Sequence, residues 1–146
     1  MIRKLLLSLL GVLIVSYLLL FTLAIEPEER RPGLKLAGTV VDTPVPSFEG
    51  RKKILLETRT WYGLRHSVTT TSWFFDGALH VPCGGCDDGK VWAKHVARNP
   101  NVRLKIDGQL YARVAHRLSG DVVNQALSVS GRGLPAGVAV FRMHEH

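Results

Sequence analysis

Residues 77–100 read Gly-Ala-Leu-His-Val-Pro-Cys-Gly-Gly-Cys-Asp-Asp-Gly-Lys-Val-Trp-Ala-Lys-His-Val-Ala-Arg-Asn-Pro. The apolar residues after Asp76-Gly77, a hairpin-turn dipeptide, predict a strand, which Gly84-Gly85 interrupts. From Asp87, one of two adjacent aspartates able to cap a helix, the spacing is helical as far as Pro100. A glycine loop leading into a helix N-terminus can bind an anion through backbone N–H groups. A simple strand–helix connection is the alternative.

Outward from this stretch, the chain is rich in alternating apolar and polar runs joined by short turns. Asp-Gly dipeptides at 76–77 and 107–108 predict antiparallel hairpins. The predicted strands are 53–60, 65–75, 78–82, 101–106, 109–118 and 137–143, and a second short helix is predicted at 120–130. Six antiparallel strands in so short a stretch favour closure into a small barrel, because closure removes exposed edges. The predicted fold is mainly β with two short helices.

The N-terminus has a different composition. Residues 5–25 are 21 consecutive uncharged positions, which span about 31 Å as a helix at about 1.5 Å per residue, enough to cross a bilayer core. We therefore predict a transmembrane anchor at 1–25, a proline-rich linker at 26–50 with one short strand near 35–41, and a folded domain at 51–146. Arg3 and Lys4 precede the apolar run, so the positive-inside rule predicts a cytoplasmic N-terminus and an extracytoplasmic domain on the inner membrane. Signal-peptide cleavage after Thr22-Leu23-Ala24 is the alternative.

The net charge is +7, and residues 51–117 hold twelve Lys and Arg against five Asp and Glu. This excess favours anionic partners, namely an anionic small-molecule cofactor or lipid headgroups. A nucleic-acid partner is not expected, since no nucleic-acid-binding motif is present.

The two cysteines, Cys83 and Cys86, form a single C-x-x-C. No metal site is predicted, because zinc needs four ligands and no second pair exists. A local disulfide and a Cys/His site with His80 and His95 stay open as alternatives.

Several motifs resemble one known family: Ile-Leu-Leu-Glu-Thr-Arg-Thr at 54–60, Trp-Phe-Phe-Asp-Gly at 73–77 and Ala-Arg-Asn-Pro-Asn-Val-Arg at 97–103. They resemble the deazaflavin-dependent nitroreductases, part of the flavin-reductase and pyridoxamine-phosphate-oxidase-like split β-barrel group. The likeness covers about 53–118 and 138–143. Residues 58–70 resemble a signature of a membrane-anchored branch, Thr-Arg-x-Trp-Tyr-Gly-x-x-His-Ser-Val-Thr-Thr.

The resemblance implies a flavin-type cofactor, deazaflavin F420 or FMN, held by two loops. The first, around 60–65, keeps only the glycine of the family's basic phosphate loop, and the second is 83–94 with its double glycine. The candidate cofactor-binding residues are Arg59, Trp61, Tyr62, Gly63, Arg65, Cys83, Gly84, Gly85, Lys90, Trp92 and Lys94. No catalytic residue is assigned.

Two functions follow as hypotheses. The first is an oxidoreductase that reduces a quinone or a nitro compound, with the cofactor carrying the hydride. The alternative is a non-catalytic ligand-binding module at the membrane surface that has lost cofactor binding, which the altered first loop favours. A hydrolase is not favoured, because Gly-x-Ser-x-Gly is absent. Split barrels often pair with the site shared between subunits, so a homodimer is among the expected partners.

Overall fold

The six predicted strands form one closed antiparallel barrel in the order β1-β2-β3-β6-β5-β4. The computed structural model describes residues 2–86, 89–131 and 137–145. Its elements are α1 (Ile2–Thr22), β1 (Lys52–Arg59), β2 (Arg65–Phe75), β3 (Ala78–Cys83), α2 (Val91–Arg98), β4 (Asn101–Ile106), β5 (Gln109–Arg117), α3 (Asp121–Val129) and β6 (Ala139–His144). The predicted fold class is confirmed: a six-stranded antiparallel barrel, two short helices and a preceding long apolar helix.

The barrel has a gap on one side of β2. This strand pairs with β1 along most of its length, from Lys52↔Ser72 to Arg59↔Arg65. Its recorded pairing with β3 covers only Trp73, Phe74 and Phe75. From Leu79 onward β3 pairs with β6 instead. The first half of β2 therefore has an edge that β3 does not cover.

Alternate residues of the strands fill the interior. The buried side chains of this interior include Ile54, Leu56, Val81, Leu104 and Tyr111. Helix α2 packs Trp92, His95 and Val96 against this core at the end where β1 finishes. At the other end Phe48 packs edge-on against Phe74, with ring centroids 5.0 Å apart. Both ends of the barrel are thus covered by other parts of the chain.

The proline-rich segment between α1 and β1 lies against the outside of the barrel. Gly33 and Ser67 exchange two backbone hydrogen bonds of 2.8 and 3.0 Å, so residues 28–33, which we call the strap, lie along the open edge of β2. Leu36 is fully buried. The short strand predicted near 35–41 is present only as isolated bridges at Lys35 and Val40.

Helix α1 comprises 21 residues with a mean hydropathy of 2.5, and none of its side chains is buried. It is long and apolar enough to cross a membrane.

The stretch around α2 differs in detail from the prediction. Cys83 and Cys86 form a disulfide, with Cα atoms 5.5 Å apart, which was one of the two alternatives for this pair. Helix α2 begins at Val91, after the predicted start. Asp87 and Asp88, the predicted caps, lie outside the described residues. Lys90 occupies the N-cap position, and its side chain makes no capping hydrogen bond.

Candidate functional site

A cavity of about 320 Å³ lies in the gap beside β2. Three parts of the chain form its walls: the first half of β2, the start of α2 with Pro82 of β3, and the strap with its neighbours. The lining residues are Glu28, Glu29, Arg30, Arg31, Pro32, His66, Val68, Thr69, Thr70, Pro82, Lys90, Val91 and Trp92. The volume is at the small end of the range typical of small-molecule sites, roughly 300–1,000 Å³.

The wall from α2 carries an apolar ring and a cation. Trp92 is buried and packs against Phe141, with ring centroids 5.3 Å apart, so its position is fixed by the core. Lys90 is exposed. Among the described residues its ammonium has no ion pair, and it is able to bind an anion that enters the cavity.

A pair of histidines stands between the cavity and the barrel interior. The rings of His66 on β2 and His95 on α2 meet edge-on, with centroids 5.2 Å apart. Thr58 donates a hydrogen bond to the His66 carbonyl oxygen, and its hydroxyl lies 3.1 Å from His95 Nδ1. A hydroxyl has one proton to donate, so His95 Nδ1 is the donor in the second contact.

Burial lowers the pKa of both histidines below 6.5. A neighbouring group lowers it further in each case, since His95 acts on the pKa of His66 and Arg98 acts on that of His95. At neutral pH both rings are therefore neutral. His66 faces the cavity and can donate or accept a hydrogen bond there.

A buried carboxylate lies on the outer face of the same strands. Glu57 is fully buried; Arg103 donates two hydrogen bonds to it, of 2.7 and 2.5 Å, and Arg65 lies 3.2 Å away. The Leu36 backbone N–H donates a fourth contact at 2.7 Å. Burial lowers the pKa of Arg65, while Glu57 acts in the opposite direction, and the guanidinium stays charged.

No family model and no curated protein matches the chain. Solved structures do. An F420-H2 dependent reductase, FDR-A, is 18% identical over 69% of this chain and 100% of its own, with a TM-score of 0.51. The heme storage protein HutZ from Vibrio cholerae is 13% identical, with a TM-score of 0.51 and coverage of 65% and 82%. A domain-swapped dimer is 17% identical over 63% of this chain and 79% of its own, with a TM-score of 0.51. The chain has the split-barrel fold. At these identities the likeness shows the fold alone.

In this split barrel the predicted second loop divides between two places. Lys90 and Trp92 line the cavity beside β2. Lys94, with Cys86, lines a different cavity of about 280 Å³ next to Ala115 and Phe141. Cys83 is buried in the core, and Gly84 and Gly85 are exposed at the turn that the disulfide closes.

The predicted first loop does not line the cavity. Arg59 ends β1, and Trp61, Tyr62 and Gly63 belong to the β1–β2 turn, where Trp61 is 77% exposed and Tyr62 46% exposed. Arg65 faces Glu57 on the outside of the barrel. Apart from Lys90 and Trp92, the predicted contact residues lie elsewhere than in the cavity of the split barrel.

Other residues of the cavity were absent from the prediction. His66, Val68 and Thr70 share the face of β2 opposite to Arg65, and their alternation is visible in the sequence. The strap residues had no such signal, because they belong to no regular element. Among the described residues, no group of His, Cys, Asp and Glu could hold a metal ion.

Proposed function

We propose that this split-barrel protein is a membrane-anchored oxidoreductase of the deazaflavin-dependent nitroreductase family. It binds a flavin-type cofactor, deazaflavin F420 or FMN, in the cavity beside β2 and reduces a quinone or a nitro compound. The observation that carries the proposal is the cavity itself: an apolar ring, a cation and a neutral histidine converge in the split of a barrel that an F420-H2 dependent reductase shares.

The residues present fit a planar ring with an anionic end. Trp92 and Val68 supply apolar walls on opposite sides of the split, and Lys90 supplies a charge at the N-terminus of α2. The cofactor supplies hydride transfer. The chain's own residues bind and orient the cofactor, and the cavity wall that contains the buried Trp92 excludes water. His66, neutral and facing the cavity, can hydrogen-bond a carbonyl or nitro oxygen.

The membrane anchor favours a lipid-soluble substrate such as a quinone. Helix α1 ends at Thr22, and the cavity lining begins a few residues later at Glu28. A substrate dissolved in the bilayer would therefore have only a short distance to travel to the cavity.

For orientation we propose a single-pass protein of the inner membrane with a cytoplasmic N-terminus and an extracytoplasmic barrel. Arg3 and Lys4 before α1 support it. The Cys83–Cys86 disulfide supports it independently, because disulfides persist in oxidising compartments. A homodimer is part of the proposal; a split-barrel neighbour is described as a domain-swapped dimer. Light scattering of the detergent-solubilised chain would measure the oligomeric state.

Fluorescence titration tests the proposed cofactor site. The full chain in detergent micelles is titrated with FMN and with F420 at low salt, and micromolar affinity is expected for one of them. Lys90→Ala should weaken binding about three- to tenfold. A buried hydrogen bond to a charged group contributes roughly 1.5–3 kcal/mol, and the loss here should be smaller because Lys90 is exposed.

Lys94→Ala is the matched control. It removes the same charge from the same helix but lines the other cavity, so its affinity should equal that of the wild type. Equal weakening in both variants would show a general charge effect. Absence of binding of either cofactor at low salt would rule out the proposed enzyme.

The second candidate is a non-catalytic ligand-binding module at the membrane surface that has lost cofactor binding. It is favoured by the fate of the first predicted loop, whose arginines lie away from the cavity, with Arg65 held by Glu57. A neighbour with the same fold is a heme storage protein. Absence of FMN and F420 binding in the titration would support this module, and reduction of menadione or a nitroaromatic compound by the chain with reduced cofactor would contradict it.

A further inference from the structure

The turn between β1 and β2 is a rigid loop. Thr60 N–H donates to the Leu64 carbonyl at 2.9 Å, and Gly63 N–H donates to the Thr60 carbonyl at 3.1 Å. The Thr60 hydroxyl adds a third bond to Leu64 O at 3.0 Å. Gly63 has a φ of +91°, which a residue with a side chain rarely adopts. The backbone thus fixes which way the side chains at the tip point.

Two large aromatic side chains at this tip are exposed. Trp61 has 77% of its surface accessible, and it meets Tyr62 edge-on with ring centroids 5.2 Å apart. The other two tryptophans of the chain, Trp73 and Trp92, are 1% and 5% exposed. A rigid turn that presents Trp and Tyr to the outside has the composition of a membrane-interface anchor, where the rings sit among headgroups.

The same turn contacts the apolar helix. The Tyr17 hydroxyl donates a 2.8 Å hydrogen bond to the Tyr62 carbonyl. A Cβ added at Gly63 would lie 3.4 Å from the Phe21 ring, so this ring packs next to Gly63. Tyr17 precedes the end of α1 at Thr22 by five residues, so the turn overlaps roughly the last 7–8 Å of the helix at about 1.5 Å per residue.

We propose that the β1–β2 turn docks into the headgroup region of the bilayer that α1 crosses, with Trp61 and Tyr62 inserted and Arg59 among the lipid phosphates. A helix of 21 residues is about as long as the hydrocarbon core is thick, roughly 30 Å. Phe21 lies one residue before the end of this helix and Tyr17 about 7–8 Å before that end, so the turn that touches both extends from the membrane boundary into the outer part of the hydrocarbon core. Arg59 is exposed beside the turn, and its Nε donates to the Gly63 carbonyl at 3.4 Å. Its long side chain can reach the phosphates.

This second contact would hold the barrel in one orientation on the membrane. A single helix leaves a domain free to tilt and rotate about its tether. A turn docked next to the helix removes that freedom and keeps the His66 end of β2, immediately after the turn, close to the lipid. The inference rests on membrane crossing by α1, and it is independent of cofactor binding.

Quenching of tryptophan fluorescence by brominated lipids tests the docking. The full chain is reconstituted in vesicles of phosphatidylcholine and phosphatidylglycerol that carry bromine near the headgroup end of the acyl chains. Wild-type emission should be quenched, and Trp61→Phe should lose most of that quenching, because Trp73 and Trp92 are buried. Aqueous iodide should quench the wild type in vesicles no more than it quenches Trp61→Phe.

Co-flotation with the vesicles measures anchoring separately. If the chain floats but Trp61→Phe is quenched by brominated lipid as strongly as the wild type, the anchor holds and the docking is wrong. The docking is also wrong if iodide reaches Trp61 while brominated lipid does not. Trp61 is exposed, so the substitution should leave the fold intact, as circular dichroism from Trp73 and Trp92 would show.

Discussion

At the scale of single residues, Glu57 explains why charge count alone misplaces a site. The carboxylate is fully buried and holds Arg65 and Arg103, with a backbone N–H as a further partner. Burying a charge costs several kcal/mol unless it is paired, so removing either arginine would leave the buried carboxylate with less compensation. Arg65 therefore has a structural role. The sequence could not show this, because Arg103 lies on β4, far along the chain.

The histidine pair gives a pH prediction. Burial lowers the pKa of His66, His80 and His95 below 6.5, so near that pH the unfolded chain binds more protons than the folded one. The contribution of these histidines to the free energy of unfolding should be fully present above pH 6.5. It should be lost as the pH falls below that value, by at most about 1.4 kcal/mol per pH unit for each histidine.

Denaturant titrations of the full chain in detergent between pH 8 and pH 5, roughly the interval in which histidine titrates, would measure this slope. His66→Gln should flatten it, while His116→Gln, an exposed position on β5, should leave it unchanged. A slope that is the same in all three proteins would show that His66 does not contribute.

At the scale of elements, the strands were predictable and the start of α2 was not. The turns of two hairpins combine an Asp and a Gly with positive φ, 48° and 66° at Asp76-Gly77 and 50° and 81° at Asp107-Gly108. Such turns fix pairing locally, so alternation of apolar residues sufficed to find β2, β3, β4 and β5. At the start of helix α2 the N-cap residue, Lys90, makes no capping hydrogen bond, so the capping signal that usually marks a helix start is not found at this position.

The loop between β3 and α2 gives a prediction about compartment. If the barrel is extracytoplasmic, Cys83 and Cys86 should be oxidised in cells, as they are in the structure. Alkylation of the denatured full chain, without prior reduction, should leave both residues unmodified, and reduction first should make both react. Reaction of both thiols without reduction would place the barrel in a reducing compartment instead. A C-terminal reporter active on one side of the membrane provides the control.

At the scale of the whole molecule, the strap lies between helix α1 and the barrel. Its bonds to Ser67 cover the edge of β2 that β3 leaves open, and its residues form one wall of the cavity. Sequence patterns could not reveal this arrangement, since prolines and mixed charges give no periodicity and the partners are remote in the chain. The fold and the long apolar helix were therefore predictable, while of the residues that line the cavity only Lys90 and Trp92 were.

Gly33→Ala should disrupt the strap. A Cβ at this position would collide with the Ile25 carbonyl oxygen and lie 2.6 Å from Pro27 N and 2.7 Å from Ser67 Oγ. Overpacking of this kind costs about 1–3 kcal/mol, which denaturation followed by tryptophan fluorescence would measure.

Gly84→Ala serves as its control, because no atom of the described residues lies within 4 Å of the added Cβ there. That variant should stay within about 0.5 kcal/mol of the wild type. Equal stabilities for the two variants would mean that the strap is not held against β2.

The hydrogen bonds that hold the proline-rich segment before β1 against the barrel also set an order of events during synthesis. The chain is made from its N-terminus, so α1 and Gly33 emerge before Ser67 does, and Val41 emerges long before Leu110, whose carbonyl accepts its N–H at 2.8 Å. Domains fold as their residues become available. If α1 crosses the membrane, it can enter the lipid before the partners of this segment exist, and the barrel then closes while tethered.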